Sequence, residues 1–297
     1  MNRCRKCRLA VLLCLWSAPA LRAQMQPMNP YFTAICYPLP RDMLMLMPLV
    51  DFQVAQFTRN YFTGMAMVQY GLTSRLTLGF MAEGEKILGL PVTYGGLRFS
   101  AYARVFPRDR LLNFTLYGEY EGLNEAALYK MEISGFGGGD LASPLEVARR
   151  TPAHTFEQRA IVYHDWGRTN VTFNFINETE LSGSGNNFGY ALGAFRQSPW
   201  MPMPGMPGMS RPPAWSLQRL GFGLEMYGGL GDDSRFGFDW PRQQQYLGPV
   251  FSYALSPAWT LRAETAFGLS GASDPFLLRL GVTYSVDQFA RRLGGLF

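Results

Sequence analysis

Between Leu112 and Tyr120 the chain alternates. Leu112, Phe114, Leu116 and Tyr120 are interleaved with Asn113, Thr115, Tyr117 and Glu119. The same beat runs from Trp259 to Gly268, where Leu261, Ala263 and Phe267 alternate with Arg262, Glu264 and Ala266. A third run sets Phe276, Leu278, Leu280, Val282 and Tyr284 against Arg279, Gly281, Thr283 and Ser285. A period of two places each set on its own face of a strand. Runs of about 10 residues with aromatics near the ends of the apolar face suit strands that cross a bilayer at a tilt. Read this way, the chain predicts roughly twelve strands. They begin near Leu49, Tyr61, Arg75, Thr93, Leu111, Phe156, Thr169, Phe188, Leu217, Tyr246, Trp259 and Pro275. Ala127 to Ser134 is a further candidate strand, or an extension of the hairpin it follows.

Turns separate the runs unevenly. Short polar turns follow Tyr70 and Tyr253, and tight connections are expected at Pro107 to Arg110 and Trp166 to Thr169. Longer connections are expected from Glu83 to Pro91, Gly122 to Thr155 and Gly228 to Gln244. Short turns on one rim and long loops on the other are the asymmetry of an outer-membrane barrel. A soluble sandwich would show shorter strands and a less aromatic outer face. The fold expected is therefore all-β, a single antiparallel transmembrane β-barrel of about twelve strands.

Composition sharpens this in three places. Of 27 Lys and Arg, five (Arg3, Arg5, Lys6, Arg8, Arg22) lie before residue 24, and no Asp or Glu does. The remaining 22 equal the 22 Asp and Glu, so no basic surface for nucleic acid is indicated. Residues 1–23 run from a basic start through an apolar stretch (Leu9 to Trp16) to small residues, the order of a secretory signal peptide. Past that leader the longest apolar run, Met43 to Val50, is far short of the ~20 residues of a membrane helix. Of four cysteines only Cys36 lies beyond the leader, so no internal disulfide is expected.

Tyr70-Gly-Leu-Thr-Ser-Arg-Leu-Thr-Leu-Gly79, Leu116-Tyr-Gly-Glu-Tyr-Glu121, and His164-Asp-Trp-Gly-Arg-Thr-Asn170 leading to Asn177-Glu-Thr-Glu180 carry a resemblance. The chain resembles a group of Gram-negative outer-membrane β-barrels that includes channels of meta-pathway, phenol-degradation type. The resemblance implies location and fold, and brings no catalytic residues. Such barrels often end on an aromatic strand residue. Here the last strand stops near Val286, and Asp287 to Phe297 reads as a short helix and tail.

Parity then nominates a lumen. Glu119 and Glu121, Glu157 and Arg159, and Glu178 and Glu180 are expected at one height near the outer mouth. Arg98, Arg104, Arg219, Glu225, Arg262, Glu264 and Arg279 are expected deeper. Mixed charges of this kind either brace a lumen by ion pairing or filter solutes by charge. Met201, Met203, Met206 and Met209, spaced by Pro and Gly, form a thioether-rich stretch that suits Cu(I) or serves as a flexible connection. Enzyme chemistry is not expected. His164 and Asp165 are adjacent and so face opposite ways on a strand, while His154 lies in a long loop with Ser143 and Asp140. Gly135 to Asp140 lacks the strand-to-helix context of a phosphate loop. Ser143 to Glu146 has capping-box spacing with Pro144 at the first helical position, predicting a short helix over the mouth.

The expected organisation is a signal peptide at 1–23, a periplasmic N-terminal segment at 24–48, a barrel at 49–286 and a C-terminal tail at 287–297. The expected activity is passive or weakly selective passage of a small solute across a bacterial outer membrane. The alternative is a non-conducting barrel that binds a ligand, a partner or copper. Outer-membrane lipid and the barrel-insertion machinery are the expected partners, and no cofactor is required beyond the possible Cu(I).

Overall fold

The computed structural model describes residues 29–56, 59–106, 112–131, 134–136, 144–181, 183, 185–200 and 212–294. Twelve strands form: β1 (Leu44–Val54), β2 (Tyr61–Gly71), β3 (Leu76–Ile87), β4 (Thr93–Arg104), β5 (Asn113–Asn124), β6 (Pro152–Trp166), β7 (Thr169–Glu180), β8 (Asn186–Arg196), β9 (Leu220–Asp232), β10 (Gln245–Ala254), β11 (Trp259–Gly268) and β12 (Phe276–Val286). Each pairs antiparallel with its chain neighbours, and β1 also pairs with β12, so the sheet closes on itself. Closure satisfies every strand edge, the condition for a sheet to stand in hydrocarbon.

The expected strand starts at Tyr61, Thr93, Thr169 and Trp259 are the observed ones. The outward face carries exposed apolar side chains around the barrel, among them Phe80, Leu116, Phe173, Leu224, Phe251 and Leu280. Cross-strand ring pairs sit at both ends of the last hairpin, Trp259 with Tyr284 at 4.5 Å and Phe267 with Phe276 at 5.7 Å. This is an apolar belt with aromatic rims, as a bilayer requires. Among the described residues no helix is long and apolar enough to cross a membrane.

Some expectations about the elements are corrected. The strand β1 begins at Leu44, not Leu49, and Pro48 points outward within it. Met43 to Val50 is apolar on both faces, which hides the alternation there. The strand β3 runs on to Ile87, because Glu83 and Glu85 face inward, so the connection expected from Glu83 is shorter. Ala127 begins no strand. Glu125–Met131 is a helix, α1, and the Asn124 side chain accepts the Ala127 N–H at 2.7 Å, a helix N-cap bond. The short helix α2 (Leu145–Ala148) forms as expected, but Pro144 stands at its N-cap without a side-chain cap bond. After β12 a helix α3 (Phe289–Gly294) packs Phe289 against Tyr70.

The largest correction concerns the segment before β1. It is not a free periplasmic strand of chain: Tyr31, Ala34, Cys36, Tyr37 and Leu39 are buried with residues of the barrel interior. Its described part lies in the lumen and meets the wall at the rim where β1 begins and β12 ends. At the opposite rim, the connection holding α1 and α2 folds across the mouth. Arg149, just past α2, donates to the Pro91 carbonyl at 2.5 Å and to Thr93 Oγ1, and pairs with Glu85 at 3.4 Å. Farther along the rim the Gly135 N–H donates to the Phe188 carbonyl at 2.9 Å.

Candidate luminal site

The N-terminal segment is held mostly through its own backbone. Glu225 of β9 accepts the N–H groups of Phe32, Thr33 and Ala34 at 2.6, 2.8 and 2.9 Å. Asn174 of β7 accepts the Ile35 N–H and donates to the Ile35 carbonyl, both at 2.9 Å. Thr172 donates to the same carbonyl at 2.9 Å. On the far wall, Thr77 of β3 accepts the Leu39 N–H at 2.7 Å. Arg159 and Arg262 donate to the carbonyls of Thr33 and Tyr31, and Arg279 to Thr33 Oγ1. Contacts to β3, β6, β7, β9, β11 and β12 mean that the segment crosses the section of the lumen. Backbone groups taken from water must be paired, and here side chains of the wall do the pairing.

Side chains complete the fit. The Tyr31 hydroxyl donates to Asn170 Oδ1 at 2.9 Å, and burial pushes its phenol up, so it stays a donor. Tyr31 also meets Phe195 edge-on at 5.9 Å. A Cβ on Gly193 would overlap the Tyr31 ring, which explains a glycine at that inward position of β8. Tyr37 donates to Asp165, which also accepts from Asn170 at 2.9 Å.

The charged lumen follows the strand register. Glu119, Glu157 and Glu178 are direct cross-strand partners on β5, β6 and β7. Arg159 lies one inward position below this row, and Glu121 one above. Of the six residues expected at one height, Glu119, Glu157 and Glu178 share a row, Glu121 and Arg159 flank it, and two further differences follow. Glu180 ends β7 as an exposed residue and is outside the buried cluster. Arg98 is not deeper: it bonds to Glu83 at 3.1 Å and to Glu121, and lies 3.5 Å from Glu119. The register puts Arg98 opposite Glu121, a pairing invisible without the β4–β5 alignment. Arg159 pairs with its own-strand neighbour Glu157 at 2.7 Å.

A second charge group sits on the β1, β11 and β12 wall. Arg279 lies 3.3 Å from Asp51 and 3.5 Å from Glu264. Arg262 lies over the Phe32 ring at 4.5 Å and donates to Met47 Sδ at 2.9 Å. Arg104 and Arg219 belong to the terminal rim instead: Arg104 bonds the Ser74 carbonyl, and Arg219 stacks on Trp200 at 4.3 Å. Sequence reasoning passed over Asp51 and Glu83, and it did not place Met45, Met47, Met65, Met67 and Met81 on the luminal face. Parity through β1 to β3 was the signal that could have found them.

Between these walls and the N-terminal segment lies a chamber of about 150 Å³. Methionines line it on the β1–β3 side, and Glu119, Glu121, Glu157 and Glu178 on the other. Leu128 of α1 reaches it from above.

The remaining candidates are placed as follows. His164 packs against Trp166 at 4.4 Å while Asp165 turns inward, so the pair does face apart. His154 shares a hydrogen bond with Tyr120 at 2.8 Å. Met201, Met203, Met206 and Met209 lie outside the described residues, as do Asp140, Ser143 and the turn at Pro107.

No protein-family model matches the chain, and no curated protein matches it by sequence. Solved structures match it in fold. An outer-membrane channel of Pseudomonas putida superposes with a TM-score of 0.53 at 13% identity, covering 88% of this chain and 100% of that one. The KdgM porin, solved with disordered oligogalacturonate, gives a TM-score of 0.49 at 9% identity, covering 82% of this chain and 99% of that one. At such identities the likeness is one of fold. Together with the apolar belt, that fold makes this chain an outer-membrane β-barrel.

Proposed function

We propose that the barrel is a channel for a small solute, with its own N-terminal segment as a removable luminal plug. The observation that carries this reading is the mode of attachment. Glu225 alone accepts three consecutive N–H groups of a segment that belongs to no strand. A lumen meant to be solid needs no separate chain to fill it, whereas a docked segment leaves a path when it undocks. Lumen carboxylates would then favour cations over anions in transit.

The test is planar-bilayer conductance of the folded mature chain, with barrel folding checked by heat-modifiable gel migration. Wild type is expected to conduct rarely and in short openings. Glu225→Ala is expected to conduct steadily. Its cation preference should fall when Glu119 and Glu121 are also changed to Gln. A folded Glu225→Ala barrel that stays silent, although Cys36 has become accessible to a thiol reagent, would sink the channel reading and leave a binding barrel.

A further inference from the structure

The chamber has two unlike walls. In one, Met47, Met67 and Met81 are direct cross-strand partners on β1, β2 and β3, forming one row of thioethers. Met45 and Met65 extend it on either side. Thioether side chains are apolar, polarisable and able to repack, and they suit the body of an organic molecule of varied shape. In the other wall stands the row Glu119, Glu157, Glu178, with neighbouring strands roughly 4.8 Å apart. Like charges directly opposite one another repel.

The guanidiniums at hand neutralise that side only in part, since Glu83, Glu119, Glu121, Glu157 and Glu178 share Arg98 and Arg159. Arg98 is divided among three carboxylates, Glu83, Glu121 and, at 3.5 Å, Glu119. Arg159 pairs both oxygens of Glu157 and donates to the Thr33 carbonyl, so within the row it compensates Glu157 and leaves Glu119 and Glu178 to the divided Arg98 and to neutral donors. Arg262 and Arg279 are engaged across the lumen by Tyr31, Met47, Asp51 and Thr33. Glu178 receives a hydrogen bond from Ser134 at 2.8 Å, a neutral donor. Asp51, which also lines the chamber, is 1% exposed; its Oδ2 lies 3.3 Å from Arg279, while its Oδ1 has no hydrogen-bond partner. Five buried carboxylates on two guanidiniums leave an excess of negative charge, which a further positive group with N–H donors would offset.

A bare metal ion does not fill that role. Among the described residues, no group of three or more His, Cys, Asp or Glu side chains converges closely enough to hold one. A cation with length does. A chamber of about 150 Å³ matches the size that admits a benzene-sized body.

We infer that the chamber binds a small organic ammonium ion, its nitrogen at Glu119 and Glu178 and its apolar body against Met47, Met67 and Met81. As the identity of the solute this rests on the channel reading; as a binding site it does not. The ammonium is the only part that can offset the charge of the row, and its three N–H donors can serve more than one carboxylate along β5, β6 and β7. The methionine row then desolvates the rest of the molecule.

The test is calorimetry on the full mature chain, folded in detergent in the presence of each probe so that access is not limiting, then re-equilibrated. The probes are phenethylammonium, its neutral isostere 2-phenylethanol, the anion phenylacetate, and Ca²⁺ alone. Phenethylammonium should bind with one site per chain, at least about tenfold tighter than 2-phenylethanol. The Glu119→Gln, Glu178→Gln double variant should lose about as much. Equal binding of amine and alcohol, tighter binding of phenylacetate, no binding of the amine, or preference for Ca²⁺ would each overturn the assignment. If the double variant fails to fold, the four-probe series on wild type decides by itself. Amine binding in a barrel that never conducts would leave the chamber standing and remove the channel. Steady conduction without amine binding would do the reverse.

Discussion

The two sides of this lumen are built on different plans. On the β6 to β10 side, Ile161, Tyr163, Ile176, Ala191, Phe195, Tyr227 and Val250 pack with Tyr31, Ala34 and Ile35 of the N-terminal segment. That side is a dry core whose polar members, Asn170, Thr172, Asn174 and Glu225, are satisfied by the segment's backbone and side chains. From β1 to β5, and in the parts of β6 and β7 nearer the outer mouth, the wall turns to methionine and charge, and a chamber remains. The same fold thus holds one half shut by packing and keeps the other half chemically unfinished. Backbone hydrogen bonds recognise a chain regardless of its side chains, so they suit a plug. Side chains of partly compensated charge select a ligand, so they suit a site.

Substitutions that break the packed side should have the largest effects. Glu225→Ala orphans three buried N–H groups at about 1–3 kcal/mol each. It should shift undocking of the segment by at least about a hundredfold, read as the rate at which a thiol reagent labels Cys36. That thiol is fully buried and has no other cysteine beside it past residue 23, which makes it a native reporter. If labelling of the folded variant stays at the wild-type rate, Glu225 does not hold the plug.

Next comes the charged side. Arg98→Gln removes the guanidinium shared by Glu83, Glu119 and Glu121 and should lower barrel stability by about 3–5 kcal/mol, measured by urea unfolding. Cys36 labelling in the folded state should hardly change, which separates this wall from the plug. Gly193→Val should act on the packed side again, since its Cβ falls on the Tyr31 ring. Overpacking costs about 1–3 kcal/mol, so Cys36 should label faster, though less so than in Glu225→Ala.

Smaller effects belong to the rim. Arg149→Ala cuts the tie from α2 to Pro91, Thr93 and Glu85. Proteolysis within residues 125–151 should speed up by about tenfold, with the unfolding midpoint of the barrel unmoved. Glu180→Gln should change cation preference and stability least, within about 0.5 kcal/mol, because this carboxylate is exposed at the strand end. A marked loss of selectivity there would return Glu180 to the filter and blur the distinction between rim and chamber.

Much of this molecule was legible from alternation. The strand starts at Tyr61, Thr93, Thr169 and Trp259 and the inward parity of Glu119, Glu178, Arg262, Glu264 and Arg279 could be read directly, because a half-buried strand repeats every two residues. The start of β1 was not legible, because Leu44, Met45, Leu46 and Met47 are apolar on both faces. Glu125–Met131 was misread because Ala, Leu and Tyr carry little alternation and the deciding N-cap, Asn124, is a single residue.

The sequence by itself determined a transmembrane barrel of about twelve strands and the inward side chains of the strands that alternate cleanly, since those follow from local periodicity and the bilayer's demand for an apolar outer face. Only the tertiary structure decided what fills the barrel. Glu225 and the N–H of Thr33 are 192 positions apart, and Arg279 and Thr33 are 246 apart. No local pattern marks such partners, because backbone donors look alike at every residue and become specific only when the closed sheet brings one carboxylate opposite them.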